Sequence, residues 1–456
     1  MPTLAQLTDD LRCARITSES LTEAALERAR RPDGEGARTY IELHEDGARA
    51  AARAADALRR AGIELSPLMG IPISIKDLFD VAGETTRAGS VVLANASPAE
   101  RDAAIVSRLR RAGAVITGRT NMVEFAYSGL GLNPHYGTPL NPWDRATGRI
   151  PGGSSSGAAV SVTDGMCAAA IGTDTGGSVR IPAALCGLTG FKPTAQRIDR
   201  TGTLPLSTSL DSIGPLAPSV DCCAQIDALL ADDGGGEEIC PQAQDLRLLV
   251  PSNVVLEGLD IEVARAFRTS LERLSQAGAR IVEARVAPID EWAQARHGTG
   301  ALATPEAYAW HRELLASHKA QYDPRVAQRL LRGAGISASD YIEARAFRHA
   351  WIRRMEQMLA GFDALVLPTV PIIAPAVKPL IESDLGYQAA NNLVLRNTSL
   401  INYLDGCALS IPCHEPGTAP VGLMIAGCAL ADRAILALGR GIEAVIDSTR
   451  RTELSV

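Results

Sequence analysis

Two periods run through the apolar positions of this chain. Residues 46–62, DGARAAARAADALRRAG, space their apolar side chains three and four apart and end on glycine, which predicts an amphipathic helix. Residues 70–77, GIPISIKD, form a short, nearly unbroken apolar run and predict a strand with Lys76 at its C-terminal end. The succession recurs in 101–121, RDAAIVSRLRRAGAVITGRTN, which reads as helix, glycine, then the strand AVIT. Further on, LRLLVPS (246–252) predicts a strand, 260–278 a helix and ARIVEARV (279–286) another strand. FDALVLPTV (362–370), CALSIPC (407–413) and VGLMIAG (421–427) are later strand candidates, and 430–446 is a closing helix. The segment SGAAVSVTDGMCAAA (156–170) is so rich in Ala, Ser and Gly that it predicts a tightly packed buried helix. Helices alternating with short apolar strands predict an α/β fold around a mostly parallel or mixed sheet.

Composition narrows the functional classes. The 456 residues are 46% hydrophobic and 21% charged, as in an ordinary globular protein with a large core. At roughly 150 residues per domain the length allows about three domains. The stretch DDGGGEE (232–238) has no core-forming residue, and it reads as a surface loop in one large domain because strand-like segments continue on both sides. A net charge of −7 gives no general attraction to nucleic acid or acidic membranes, so neither is an expected partner. The first twenty residues carry charges throughout and are not read as a secretory signal. No run approaches the ~20 apolar residues of a membrane helix. Nine scattered cysteines without a CxxC pair predict free thiols in a reducing cytoplasm, with Cys167 and Cys186 in the core. Cys413-His414-Glu415 is too compact for a zinc site, so no metal is expected.

The chemistry concentrates in two glycine–serine clusters, GGSSSG (152–157) and GTDTGGSVR (172–180). Neither supplies the lysine of a phosphate-binding GxxxxGK[ST] loop, and GLGLNP (129–134) has Pro134 where a dinucleotide-binding turn needs its third glycine. GSSSG formally fits the GxSxG elbow of α/β-hydrolases, with Ser155 as nucleophile and His414 as a candidate base, but the preceding NPWDRATGRIPG reads as loop rather than strand. A third reading uses both clusters. Glycines let the chain turn backbone N–H groups toward one point, which suits Ser178 as a nucleophile beside its own oxyanion hole. Its base could be a lysine kept neutral by burial, and Lys76 closes the apolar run IPISIK.

GGSSSGAA followed by GTDTGGSVRIPAALCGLTGFKPT (172–194) resembles the signature of the amidase signature family of serine hydrolases. GIPISIKDLFDVAGETTRAGS (70–90) is similar to the family's lysine segment, and residues 113–144 to its substrate-side segment. TSLDSIGPLAPSVDC (208–222) and APVGLMIAG (419–427) resemble later blocks. The resemblance is strong over about residues 60–225 and weak in the C-terminal third. It implies a single large α/β/α domain, 1–456, with a central mixed, mostly parallel twisted sheet. Within it, 1–65 would be an N-terminal helical segment, 66–225 the signature core, 226–360 a variable substrate-side segment and 361–456 the C-terminal part of the sheet.

The resemblance further implies a Ser–cis-Ser–Lys triad: Ser178 as nucleophile, Ser154 as relay and Lys76 as base. Backbone N–H groups of Thr175, Gly176, Gly177 and Ser178 would form the oxyanion hole, and Tyr127, Ser128 and Gly129 would face substrate. The family's usual GGSSGG has Ser156 in place of a glycine here. Asp174, Arg180 and Asp211 are expected to brace the nucleophile loop, and YAW (308–310) to pack within a helix. A small neutral pocket is expected beside Ser178. The implied activity is hydrolysis of small carboxamides, anilides or related carbamates without a cofactor, by a cytoplasmic monomer or homodimer, with ester or urethane cleavage as a side activity. The alternative within the family is the glutaminase subunit of a tRNA-dependent amidotransferase; YSGLGLNPHYG after EFA departs from that subfamily's usual Met-Gly-Ser-Ser-like run.

Overall fold

A strand buried on both faces of a sheet is mostly apolar and must find partners for its polar side chains, and that requirement explains why the clearest apolar runs became strands. The computed structural model describes residues 1–233, 240–295 and 299–453. Its strands are β1 (Tyr40–Leu43), β2 (Pro72–Lys76), β3 (Val115–Thr120), β4 (Ala169–Asp174), β5 (Thr189–Lys192) and β6 (Ser212–Ala217), followed by β7 (Arg247–Pro251), β8 (Arg280–Ala284), β9 (Ala364–Pro368), β10 (Cys407–Pro412) and β11 (Gly422–Gly427). All join one sheet in the order β1-β3-β2-β4-β6-β5-β10-β11-β9-β7-β8. Every residue of β2, β3, β4, β6, β9 and β11 is buried. The largest side-chain cluster runs from Leu4 near the N-terminus to Ile446 near the C-terminus, so the ends of the chain share one core.

The α/β class and mixed sheet agree with the expectation, but the sheet is mostly antiparallel, not mostly parallel. Only β3–β2, β2–β4, β9–β7 and β7–β8 are parallel. The other six pairings are antiparallel. Two of the strands responsible, TGFK (β5) and SIGPLA (β6), carry Gly or Pro and lack an obvious apolar run. They lie side by side at the middle of the sheet, where both neighbours run against them. The segment 156–170 also divides. Its helix covers only Ser156–Thr163, Gly165 turns the chain at a φ of +67°, and Ala169 already begins β4. An alanine-rich apolar run fits either element, and the glycine decides where one stops. The linker read at 232–238 falls largely outside the described residues.

Register carries the chain toward the site. β2 and β4 are parallel, with Ile75 beside Ile171, so Lys76 emerges next to the C-terminal end of β4. β6 runs against β4 with Ser212 opposite Asp174, which brings Asp211 to the same edge. The helix Ser156–Thr163 packs across this region through small residues. A Cβ on Gly157 would stand 2.3 Å from the Thr39 carbonyl oxygen and 2.7 Å from the Asn121 nitrogen, both fixed backbone atoms. Gly157→Ala should therefore destabilise the protein by about 1–3 kcal/mol through overpacking, read as a lower urea midpoint at unchanged m-value; parental stability would show that the helix can shift away at no cost.

Candidate active site

A lysine that ends a fully buried strand has no water to solvate its charge. Lys76 is completely buried, and its Nζ donates to Ser154 Oγ at 2.7 Å and to Thr173 Oγ1 at 2.9 Å. Burial lowers its pKa from 10.5 to about 7, against the opposing attraction of Asp174 and Asp211. Both acceptors are neutral hydroxyls, so nothing in hydrogen-bond contact demands an ammonium.

Ser154 is held by its backbone. Its carbonyl accepts from the Val123 N–H at 3.0 Å, and the peptide linking it to Gly153 is cis. The Gly153 N–H donates to the Gly129 carbonyl at 2.8 Å, which straps the serine cluster to the segment after EFAYS. The Ser155 N–H donates to the Ser178 carbonyl at 3.3 Å, joining the two glycine–serine clusters directly. Ser155 is fully buried, with its hydroxyl toward the Thr173 carbonyl, and His414 lies against Gly187 beyond the far end of the helix Arg180–Cys186. The elbow reading of GSSSG is therefore not assembled. Ser156 begins the helix Ser156–Thr163 and is also buried.

The loop after β4 is organised by one buried ion pair. Asp174 accepts from the Gly177, Val179 and Arg180 N–H groups at 2.9, 3.2 and 3.3 Å and from Arg180 Nε at 3.0 Å. Burial pushes this carboxyl up, but the charge and hydrogen bonds of Arg180, the Lys192 charge and Asn402 together bring it down to about 2. Arg180 also donates to the Thr398 carbonyl at 3.0 Å and Asn402 Oδ1 at 2.7 Å. Thr398 Oγ1 in turn donates to the Gly176 carbonyl at 2.6 Å. Gly177 has a φ of +129°, and a Cβ there would stand 2.2 Å from Thr398 Oγ1, so both the turn and the close approach require glycine. Asp211 anchors the other side: it accepts from Thr175 Oγ1 at 2.5 Å and from the Leu206 and Ser207 N–H groups at 3.0 Å, and burial raises its pKa to about 6.

Ser178, Thr175 and Gly176 line a cavity of about 140 Å³, together with Tyr127 and Ser128. Gly177 does not line it, since its N–H is engaged by Asp174, which leaves Thr175, Gly176 and Ser178 as the expected oxyanion donors that face the cavity. Gly129 also lies outside it, donating to Asn391 Oδ1 at 2.9 Å beneath the helix Asp384–Leu404. Cys167 and Cys186 are buried, as expected. Trp310, in the helix Thr299–His318, meets the His311 ring edge-on and lies tilted against the Phe125 ring. The cavity is not neutral: Arg329 lines it.

Sequence reasoning passed over Thr173, Arg329, Thr398 and Asn402. The last two had a legible signal: Asn391, Thr398 and Asn402, spaced seven and four apart, fall on one buried edge of the helix Asp384–Leu404. Arg329 sits among other arginines in the helix Pro324–Leu331 and carries no such mark.

The amidase family model matches residues 20–436. The chain is 37% identical over 412 residues to the 2-amino-5-chloromuconic acid deaminase of Comamonas testosteroni, covering 88% of this chain and 87% of that protein. It is 34% identical over 483 residues to a glutamyl-tRNA(Gln) amidotransferase subunit of Chloroflexus aggregans, covering 98% and 96%. A crystal structure of an amidase superposes with a TM-score of 0.87 at 35% identity, covering 98% of this chain and all of that one. The chain belongs to the amidase signature family and is a hydrolase of C–N bonds.

The ion pair beneath the loop yields a prediction. Asp174→Asn leaves Arg180 as an uncompensated buried charge and should cost about 3–5 kcal/mol of stability, measured by chemical denaturation. A loss below about 1 kcal/mol would show that Asn402 and Thr398 suffice to hold the guanidinium.

Proposed function

We propose that this chain is a stand-alone amidohydrolase that cleaves the C–N bond of small carboxamides, anilides or related carbamates through an acyl-enzyme on Ser178. The observation that carries the reading is the 2.7 Å contact between a fully buried Lys76 and Ser154, with the amine's pKa near 7. Neutral Lys76 takes the Ser154 proton, and Ser154 takes the Ser178 proton as Ser178 Oγ bonds to the substrate carbonyl carbon. The carbonyl oxygen becomes an oxyanion held by backbone N–H groups among Thr175, Gly176 and Ser178; losing one such donor typically costs about 10²–10³ in rate. The proton returns through Ser154 to the leaving nitrogen as the C–N bond breaks. Water then attacks the Ser178 ester along the same relay, releasing the acid and regenerating the serine. Each proton has a resident acceptor, so the cycle calls for no metal.

The alternative is the glutaminase component of an amidotransferase. The 34% identity to an amidotransferase subunit over 98% of the chain favours it. The two separate on autonomy. The purified chain alone should release amine from a nitroanilide or a simple carboxamide, and Ser178→Ala should lose more than a hundredfold of that rate at an unchanged melting temperature. Ammonia release from L-glutamine only after a partner protein is added, with no amide cleaved by the chain alone, would establish the alternative.

The pH dependence has a defined sign. Lys76 acts when neutral, so kcat/KM should rise with pH through an apparent pKa of about 7. Lys76→Met should remove this limb together with most of the rate. A profile flat from pH 6 to 9 would exclude a titrating lysine as the base.

A further inference from the structure

A buried carboxylate needs both donors and a counter-charge, and one wall of the cavity hangs from such a group. Glu124 is fully buried at the start of the turn EFAYS, whose Ala126, Tyr127 and Ser128 line the cavity. Its Oε1 accepts from Ser90 Oγ at 2.7 Å and from His135 Nε2 at 2.8 Å, and its Oε2 from the Asp323 N–H at 2.8 Å. Asp323 caps the helix Pro324–Leu331 by accepting from the Arg325 N–H at 2.8 Å. Arg329 on that helix donates to the Tyr127 carbonyl at 2.6 Å. One carboxylate thus ties together the turn, the start of a wall helix and the loop that carries His135.

The turn depends on such support. Phe125 and Ala126 have φ of +50° and +59°, two successive left-handed residues that are not glycine. Residues in that region persist only where their surroundings over-determine them. His135 is well placed to contribute, because its own backbone is pinned. Its N–H donates to Asn133 Oδ1 at 2.8 Å, and Asn133 Nδ2 donates to the Gly89 and Met122 carbonyls at 2.8 and 2.7 Å.

Among the described residues His135 is the one cationic partner of Glu124. The other basic groups in this region are taken or turned away. Arg87 pairs with Glu42 and Arg325 with Asp384, each at 2.8 Å, and Arg119 with Asp77 at 2.7 Å. Lys319 is exposed. His311 meets the Tyr322 hydroxyl at 2.9 Å, and burial drives its pKa down to about 3, so it stays uncharged. Burial raises the pKa of Tyr136, Tyr322 and Asp323, and none of these three can carry a positive charge. The Glu124 hydrogen bond raises the His135 pKa above the ordinary 6.5; partial burial opposes this, and the charges of Glu124 and Asp323 add to the rise.

We propose that His135 is a positioning residue for the hydrolysis: protonated, it supplies the counter-charge of Glu124 and so holds Ala126, Tyr127 and Ser128 in the shape that binds substrate. The inference rests on the amidase reading above. The contribution of the imidazolium is complete at low pH and is lost as pH rises through the His135 pKa. Glu124 is then a buried carboxylate bonded only to neutral donors, and the left-handed turn loses part of what holds it. Substrate affinity falls on the alkaline side, in KM, while the ionisation of Lys76 keeps its rising limb in kcat.

The test follows KM and kcat against pH for a nitroanilide or simple carboxamide in the wild-type chain, in His135→Gln and in His135→Lys. In the wild type KM should rise about tenfold across the His135 titration, the size expected for losing a hydrogen bond to a charged group. His135→Gln keeps a donor without the charge, so its KM should be about tenfold higher at every pH and show no limb. His135→Lys should keep the low wild-type KM up to pH 9. A wild-type KM that does not change with pH, or a limb that survives in both variants, overturns the proposal. Two measurements on the wild type need neither a variant nor turnover. The first is the imidazole titration of His135 by NMR, and the second is amide hydrogen exchange of residues 123–130, corrected for the intrinsic rate at each pH. Protection of 123–130 should fall as His135 loses its proton. A His135 pKa below 6.5, or protection unchanged across its titration, overturns the proposal even if the variants do not fold. Protection that tracks His135 in a chain that cleaves no amide leaves the clamp standing and the amidase reading fallen. Amide cleavage with a pH-independent KM does the reverse.

Discussion

A neutral amine buried at the end of a strand is the constraint on which the site depends. Moving the Lys76 pKa from 10.5 to about 7 corresponds to about 5 kcal/mol of preference for the uncharged form. Two carboxylates nearby, Asp174 and Asp211, would undo this if their charges reached Lys76 unopposed. Neither does. Asp174 is ionised but bound to Arg180, so Lys76 sees an ion pair rather than an anion. Asp211 is itself pushed up to about 6 by burial. Arg180 touches neither Lys76 nor the cavity wall; it pairs with the Asp174 carboxylate that attracts the Lys76 charge.

The same ion pair shapes the loop from Thr175 to Arg180. Asp174 gathers three backbone N–H groups and so fixes where Ser178 stands relative to Gly176 and Thr175. Support for the pair comes from Thr398 and Asn402, more than two hundred residues later in the chain. The helix Asp384–Leu404 thus braces the loop from behind while Leu395 and Ser399 on the same helix line the cavity. One element sets both the rigidity of the reacting loop and part of the wall that substrate meets. A change on this helix at Leu395 alters the wall, whereas one at Thr398 or Asn402 alters the loop.

What the sequence disclosed follows the range of the interactions. Strands with continuous apolar runs, such as PISIK and ALVLP, announce themselves because burial on both faces is a local compositional demand. Lys76, Ser154 and Ser178 stood out through short motifs whose glycines answer local turns, and the structure gathers their elements at one edge of the sheet. The strands β5 and β6 were hidden because Gly190, Gly214 and Pro215 break the apolar pattern while the sheet tolerates them through close packing: a Cβ on Gly214 would stand 2.0 Å from the Phe191 carbonyl oxygen. Hiding them also hid the antiparallel centre of the sheet. Arg329 was illegible for a different reason. An arginine on an exposed helix face and one over a cavity look alike until the tertiary fold places Tyr127 beneath it.

This division of labour separates chemistry from selectivity within the fold. Lys76, Asp174 and the loop after it hang from β2, β4 and β6, where every residue is buried and little can change without cost. Much of the remaining cavity wall comes from the helices Thr299–His318, Pro324–Leu331 and Asp384–Leu404, through Gly300, Ala303, Thr304, Arg329, Leu395 and Ser399. A substitution there exchanges one small surface for another and leaves the pKa of Lys76 governed by burial and Asp174 as before. In this chain those helices contribute Arg329, the one charged side chain among the described lining residues, to a small wall that is otherwise apolar or hydroxylic.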